Sequence, residues 1–298
     1  MNHNHSFHIL IILTITLILF STFAIARPIY VNIKSSGTND GSSWENAYID
    51  LQSALSQADG STFTQIWVAK GIYHPGTEKS DTFQLTNNVA LYGGFSGIED
   101  NLNQRNWAQN ITILSGDLEN DDIVGPEGYV LTAKPDGTTN LIGKNAFSVV
   151  TANKTDHTAI LDGFYITAGK TNGRGGGIQC NESTPNLYNL YIAGNWASSG
   201  GGVYWERNLH IKNVVITGNY SARHGGGIYL DYNGLIENAT ICDNVAAQCG
   251  GGIYSDGISL TIDNSTIFNN RASEGGGLGF FNLNYKKRAI GYFLLGIK

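Results

Sequence analysis

Four carboxylates crowd the run Asp117-Leu118-Glu119-Asn120-Asp121-Asp122. Hard oxygens this close together suit a divalent cation such as calcium, although the run lacks the ligand order and the glycine of an EF-hand loop. A solvated acidic loop is the alternative reading. No other cofactor is suggested. Three cysteines, Cys180, Cys242 and Cys249, match no zinc spacing and have no histidine at ligand distance in sequence. The expectation for them is partly buried thiols, with one pair between neighbouring coils as an option.

Tyr204, Tyr229 and Tyr254 recur every 25 residues, each directly after an aliphatic residue. If the aliphatic points inward, the tyrosine points outward, and the rings form a file. Such a file would bind sugar rings by face contact, or would stiffen the wall by mutual stacking. Catalysis on a polysaccharide asks for more: two facing carboxylates for hydrolysis, or carboxylates holding a cation with a base beside them. Asp231, Asp243 and Asp263 fall at different places in the 25-residue unit. Arg174, Arg223, His224 and Arg271 lie near glycine corners and are expected out of register with one another. No convergent acid–base set is predicted.

The elements that position these residues repeat. Glycine triplets start at 175, 200, 225, 250 and 275, and each is followed by an aliphatic residue: Ile178, Val203, Ile228, Ile253 and Leu278. Ahead of the later triplets comes one phrase in four copies, "NLYIAGN", "NVVITGN", "NATICDN" and "NSTIFNN". Its first asparagines are Asn189, Asn213, Asn238 and Asn264, and its last are Asn195, Asn219, Asn244 and Asn270. An earlier copy, "LDGFYITAG", carries Gly163 and Gly169 instead. A fixed period in this range signals a solenoid, and the two-residue alternation within each unit is the strand period. The predicted fold is therefore all-β: a right-handed, single-stranded parallel β-helix of coils about 25 residues long. Isoleucine and valine stack inward, since one coil alone cannot bury a core. Asparagine carries both a donor and an acceptor, so stacked copies can bond one another as a ladder.

Paired "GGGI" and "I-x-x-N" tetrapeptides, the latter at Ile192–Asn195, Ile216–Asn219, Ile241–Asn244 and Ile267–Asn270, resemble the repeats of the polymorphic outer membrane protein family. Isoleucine stands where that family prefers phenylalanine. The stretches "IYVNIKSSGTNDGSSWENAYIDLQSAL", "IWVAKGIYHP", "FQLTNNVALYGGFSG" and "RNWAQNITILSGD" resemble the opening module of secreted β-helix proteins of pectate-lyase-like fold. Together the resemblances cover about residues 29–278. They imply the fold and an envelope or extracellular address, and they name no reaction.

Around the repeats, "IDLQSALSQA" places Leu51, Ala54, Leu55 and Ala58 on one helical stripe, with Asp50 or Ser42 as N-cap, a short helix to cover the open end of the core. Residues 118–145 break the rhythm and are expected to form a loop projecting from the wall. Residues 1–26 read as an export signal, apolar from Ile9 and ending in Ala24-Ile25-Ala26. An uncleaved anchor is the alternative, because the n-region has no lysine or arginine. No transmembrane span is predicted in the mature chain. The net charge of −6, from 24 acids against 18 bases, excludes a nucleic-acid partner, which would need clustered cations. Sequons occur at Asn110, Asn153, Asn181, Asn219, Asn238 and Asn264, and the last three coincide with ladder positions.

The predicted organisation is a signal peptide at 1–26, a cap with the first coils at 27–122, an irregular insertion at 123–145, regular repeats at 146–284 and an atypical tail at 285–298 that reads as a truncated end. Two functions stay open. One is an exported cell-surface or extracellular module, binding, adhesive or structural, without catalysis, whose partner is a polysaccharide or a cell-surface ligand. The other is a carbohydrate-active lyase or hydrolase on the same scaffold.

Overall fold

The computed structural model describes residues 27–133, 140–257 and 259–281. The expected signal peptide and the atypical tail lie outside the described residues. Four sheets run along one axis. The first face has eight strands, from Ile29–Val31 through Val89–Phe95, Ile160–Asp162 and Asn186–Tyr188 to Leu260–Asp263. A second face of seven strands runs from Gly71–Tyr73 to Thr266–Phe268, and a third of seven from Phe83–Leu85 to Leu278–Phe280. A short fourth face has four strands, Lys170–Arg174, Trp196–Ser199, Tyr220–His224 and Val245–Ala246. Ladders between these strands are parallel, and each coil visits the first, second and third faces in turn, with the short face inserted between the second and third only in the four coils from Ile160 to Ser255. This is the predicted parallel β-solenoid.

Register follows the repeat. Ile178, Val203, Ile228 and Ile253 pair in sequence, as do Ile192, Ile216, Ile241 and Ile267, and all are buried in one continuous core. Each such side chain contributes about 2 kcal/mol by leaving water. At the open end, helix Leu51–Gln57 puts Leu51, Ala54 and Ala58 into that core, with Asp50 as its N-cap accepting from the Ser53 N–H at 2.8 Å. Of the two candidate caps, Asp50 is the one used.

The two asparagine files have different environments. Asn189, Asn213, Asn238 and Asn264 turn the corner from the first face to the second at φ between 45° and 57°, and they bond one another on the surface. Asn195, Asn219, Asn244 and Asn270 are buried, each donating to the next at 3.0 Å. The buried file explains why glycine triplets and asparagines recur together. A Cβ on the third glycine, Gly227, would lie 2.6 Å from the Gly252 carbonyl oxygen and 3.1 Å from the Asn244 amide. The first glycine, Gly225, needs its φ of +67° to turn the corner.

The described residues of the insertion do not project. Val130 and Leu141 are buried with Ala133 against Ala168, Trp196 and Tyr220, and the Ala133 N–H donates to the Gly218 carbonyl on the wall. Its irregular backbone is held down because Val130, Ala133 and Leu141 give it an apolar face of its own. All three cysteines are free thiols, with Cys180 in the core.

Candidate functional site

Where the short fourth face meets the third face, the glycine corner leaves a groove along the solenoid. Counting back from each triplet, Arg174, Ser199, His224, Cys249 and Glu274 occupy one register position and pair coil to coil. Arg174 and His224 are therefore in register, against the expectation, with Ser199 between them. Two residues after each tyrosine stand Glu206, Asp231 and Asp256, spaced 25 apart and in register coil to coil. Sequence reasoning missed this file because it grouped Asp231 with Asp243 and Asp263. Counting from the triplets would have found it.

The tyrosine file exists, with ring centroids 5.3 Å apart for Tyr204–Tyr229 and 5.1 Å for Tyr229–Tyr254. Its exposure is limited to the middle ring. Tyr204 is fully buried beneath the Arg174 guanidinium, which lies 4.8 Å from its centroid, and Tyr254 is buried with His224 stacked on it at 4.5 Å. Only Tyr229 of the three lines the cavity of about 330 Å3, together with Asn172, Arg174, Ser199, Arg223 and His224.

The hydroxyls connect rings to acids. Tyr204 accepts from Arg174 and donates to Asp231, and Tyr229 donates to Asp256 at 2.8 Å. Burial first, and then the acid partner, push both phenols well above their ordinary value, and Tyr254 is pushed up to about 12. These phenols are donors at neutral pH. Burial holds His224 below the usual imidazole value, and its Nδ1 is buried without a partner. The groove thus offers a neutral imidazole, a half-exposed ring and guanidinium groups, with the acids Asp231 and Asp256 bonded to the tyrosine hydroxyls.

The acidic loop folds on itself. Ligand oxygens of Asp117, Asp121 and Asp122 lie within 4.8 Å of one another. Backbone N–H groups face them: Asp117 accepts from Glu119, Asp121 and Asp122, and Asp122 from Ile142 at 2.5 Å. Glu119 turns away to the Lys144 N–H. The oxygens fasten residues 117–122 to 142–145. Burial, with Asp117 and Asp121 adding like charge, pushes the Asp122 carboxyl up to about 7.

A raised carboxyl makes the folded state hold a proton that the unfolded chain has released, so stability falls as pH rises from about 4 to about 7. Asp122→Asn removes this cost while keeping an acceptor for the Ile142 N–H. The variant is expected to gain roughly 2 kcal/mol over the parent near pH 8 and nothing near pH 4, given about 1.4 kcal/mol per pK unit. Urea melts at the two pH values decide it: parallel pH profiles would refute the assignment, and a calcium-induced rise in Tm that the variant loses would give the cluster to the ion instead.

No curated protein and no solved structure matches the chain. Residues 213–231, which span the corner asparagine Asn213, the buried Asn219, the triplet at 225 and the file position Tyr229, match the Chlamydia polymorphic membrane protein (Chlamydia_PMP) repeat, so this stretch of the parallel β-solenoid is similar to that family's repeat.

Proposed function

We propose that the protein is an exported, surface-associated β-solenoid that holds an extended polysaccharide along the groove of its glycine corner. One observation carries the proposal: the side chains at the glycine corner recur in register, so Arg174–Ser199–His224 form a rail at one coil spacing, about 4.8 Å, beside the file of tyrosines whose hydroxyls hold Asp231 and Asp256. A polymer of repeating hydroxylated units suits such a rail, with Tyr229 as the exposed ring beside it. The similarity of residues 213–231 to a polymorphic membrane protein repeat supports an outer-membrane or surface location.

A second reading, a carbohydrate-active enzyme, is favoured by one feature. Tyr229 donates to Asp256 and lines the same groove as His224, so a carboxylate-held phenol and an imidazole stand near one another. One experiment separates the two readings. The chain is incubated with acidic and neutral polysaccharides, and retention, new reducing ends and unsaturated-uronate absorbance are followed together. Retention without products is expected, weakened about tenfold by Tyr229→Ala, the loss of one ring contact plus its burial. Products abolished by Asp231→Asn would establish the enzyme, and absence of retention on every polymer would end the binding proposal.

A further inference from the structure

A second cavity, of about 470 Å3, opens on the first face, away from the glycine corner. Tyr92, Asp162 and Tyr188 are successive rungs of one outward file there, in direct register. Two rungs put the tyrosines about 10 Å apart. Trp107 closes a third side, carried by the chain that follows the 3-10 turn Leu102–Gln104.

The cavity exists because the corner ladder stops. Gly163 takes the place of the corner asparagine in this coil, at φ +87°, and a Cβ there would meet Arg105 Nη1 at 2.6 Å and the Trp107 Cβ at 3.2 Å. Arg105 therefore lies where a ladder side chain would stand. Its guanidinium bonds Asp162 Oδ2 at 2.7 Å and the carbonyls of Gly93 and Asp162, and it lies 5.1 Å from the Tyr92 ring centroid. Asn189, the first corner asparagine, donates to Asp162 Oδ1 at 2.7 Å where its successors donate to one another. Both charges of the pair are nearly buried, at 13% and 11% side-chain exposure.

We infer that this cavity is a binding site for a neutral pyranose. Three half-exposed aromatic rings supply faces for its C–H groups. The Tyr92 and Tyr188 hydroxyls, the Trp107 indole N–H and the Asn103 amide have no hydrogen-bond partner among the described residues and are free for sugar hydroxyls. The charged floor is already compensated. A uronate or a cationic ligand would have to separate a buried ion pair, and an uncompensated buried charge is costly. The volume is that of a small-molecule site, not of a protein interface. This site is independent of the glycine-corner groove, which lies at the junction of the short fourth face and the third.

The test uses the full chain with methyl glycosides of glucose, galactose, mannose and N-acetylglucosamine, and with glucuronate as the charged control. Binding is read by tryptophan fluorescence and saturation-transfer NMR. At least one neutral glycoside is expected to bind in the millimolar range. Trp107→Ala and Gly163→Asn should each weaken it about tenfold or more, since each removes ring contact from a small ligand. Gly163→Asn also presses a Cβ to 2.9 Å from the Gly93 carbonyl oxygen, so its fold is checked by a urea melt beside the parent, and the exposed Asn103→Ala gives a third variant that leaves the core untouched. Tyr229→Ala should leave glycoside binding unchanged, while Trp107→Ala should leave polymer retention unchanged, so the two sites fail separately. The inference is overturned if no neutral glycoside binds, if the three pocket variants bind like the parent, if glucuronate binds best, or if Tyr229→Ala is the change that abolishes glycoside binding.

Discussion

Asn219→Ala is expected to destabilise the protein by about 4 kcal/mol, a large part of a domain's total margin. The side chain is the centre of the buried ladder. Its Nδ2 donates to the Ile192 and Thr217 carbonyls and to Asn244 Oδ1, and its Oδ1 accepts from both the backbone N–H and the Nδ2 of Asn195. Alanine takes this donor from the Ile192 and Thr217 carbonyls and this acceptor from the Asn195 backbone N–H, while Asn195 Nδ2 and Asn244 Oδ1 each lose one of their bonds, all at a position only 1% exposed. The network is coupled along the axis, so the loss exceeds one bond. Asn213→Ala is the control. That residue has a left-handed φ of 57° and one ladder bond on either side, but water can replace its partners, so about 1 kcal/mol is expected, mostly backbone strain. Urea melts of the two variants make the comparison, and equal losses would show that burial does not set the strength of the ladders.

Gly226→Ala is expected to cost about 3 kcal/mol or more. A Cβ there would stand 2.4 Å from the Gly251 carbonyl oxygen and 2.5 Å from that of Val245. Both obstacles are backbone of the neighbouring coil, and no rotamer change can move them. Relief would have to open the bonds from Gly202 N to Gly226 O and from Gly226 N to Gly250 O. Because solenoid stability is a sum over neighbouring interfaces, the variant should unfold in two steps, with the coils beyond 226 melting first. Hydrogen exchange would locate the step, and protection lost evenly along the chain would contradict a local clash.

Much of the fold was legible because a solenoid makes sequence period and spatial neighbourhood the same thing. Residues 25 apart, such as Val203 and Ile228, are hydrogen-bonded neighbours on adjacent strands. The corner at Asn213, the core line through Ile216 and the triplet at 225 could be assigned from spacing alone, since each corner demands a left-handed φ or the absence of a Cβ. The groove was half legible. Its tyrosines were found, while Glu206, Asp231 and Asp256 were not, although the same count places them.

What spacing could not show is what covers a side chain. Tyr204 and Tyr229 stand at the same repeat position, yet Arg174 lies over the first and leaves the second open, because Arg174 is a single event in the repeat. The insertion looked like an arm and is packed down through Val130 and Leu141, a contact with no period to announce it. Arg105 meets Asp162 across 57 residues, in space left by Gly163. The repeat in the sequence thus determined the coil, its core and its ladders, which depend on the same residue recurring at a fixed interval. Tertiary structure alone decided the two cavities and their exposure, because each depends on a residue that occurs once and on the surface it happens to cover.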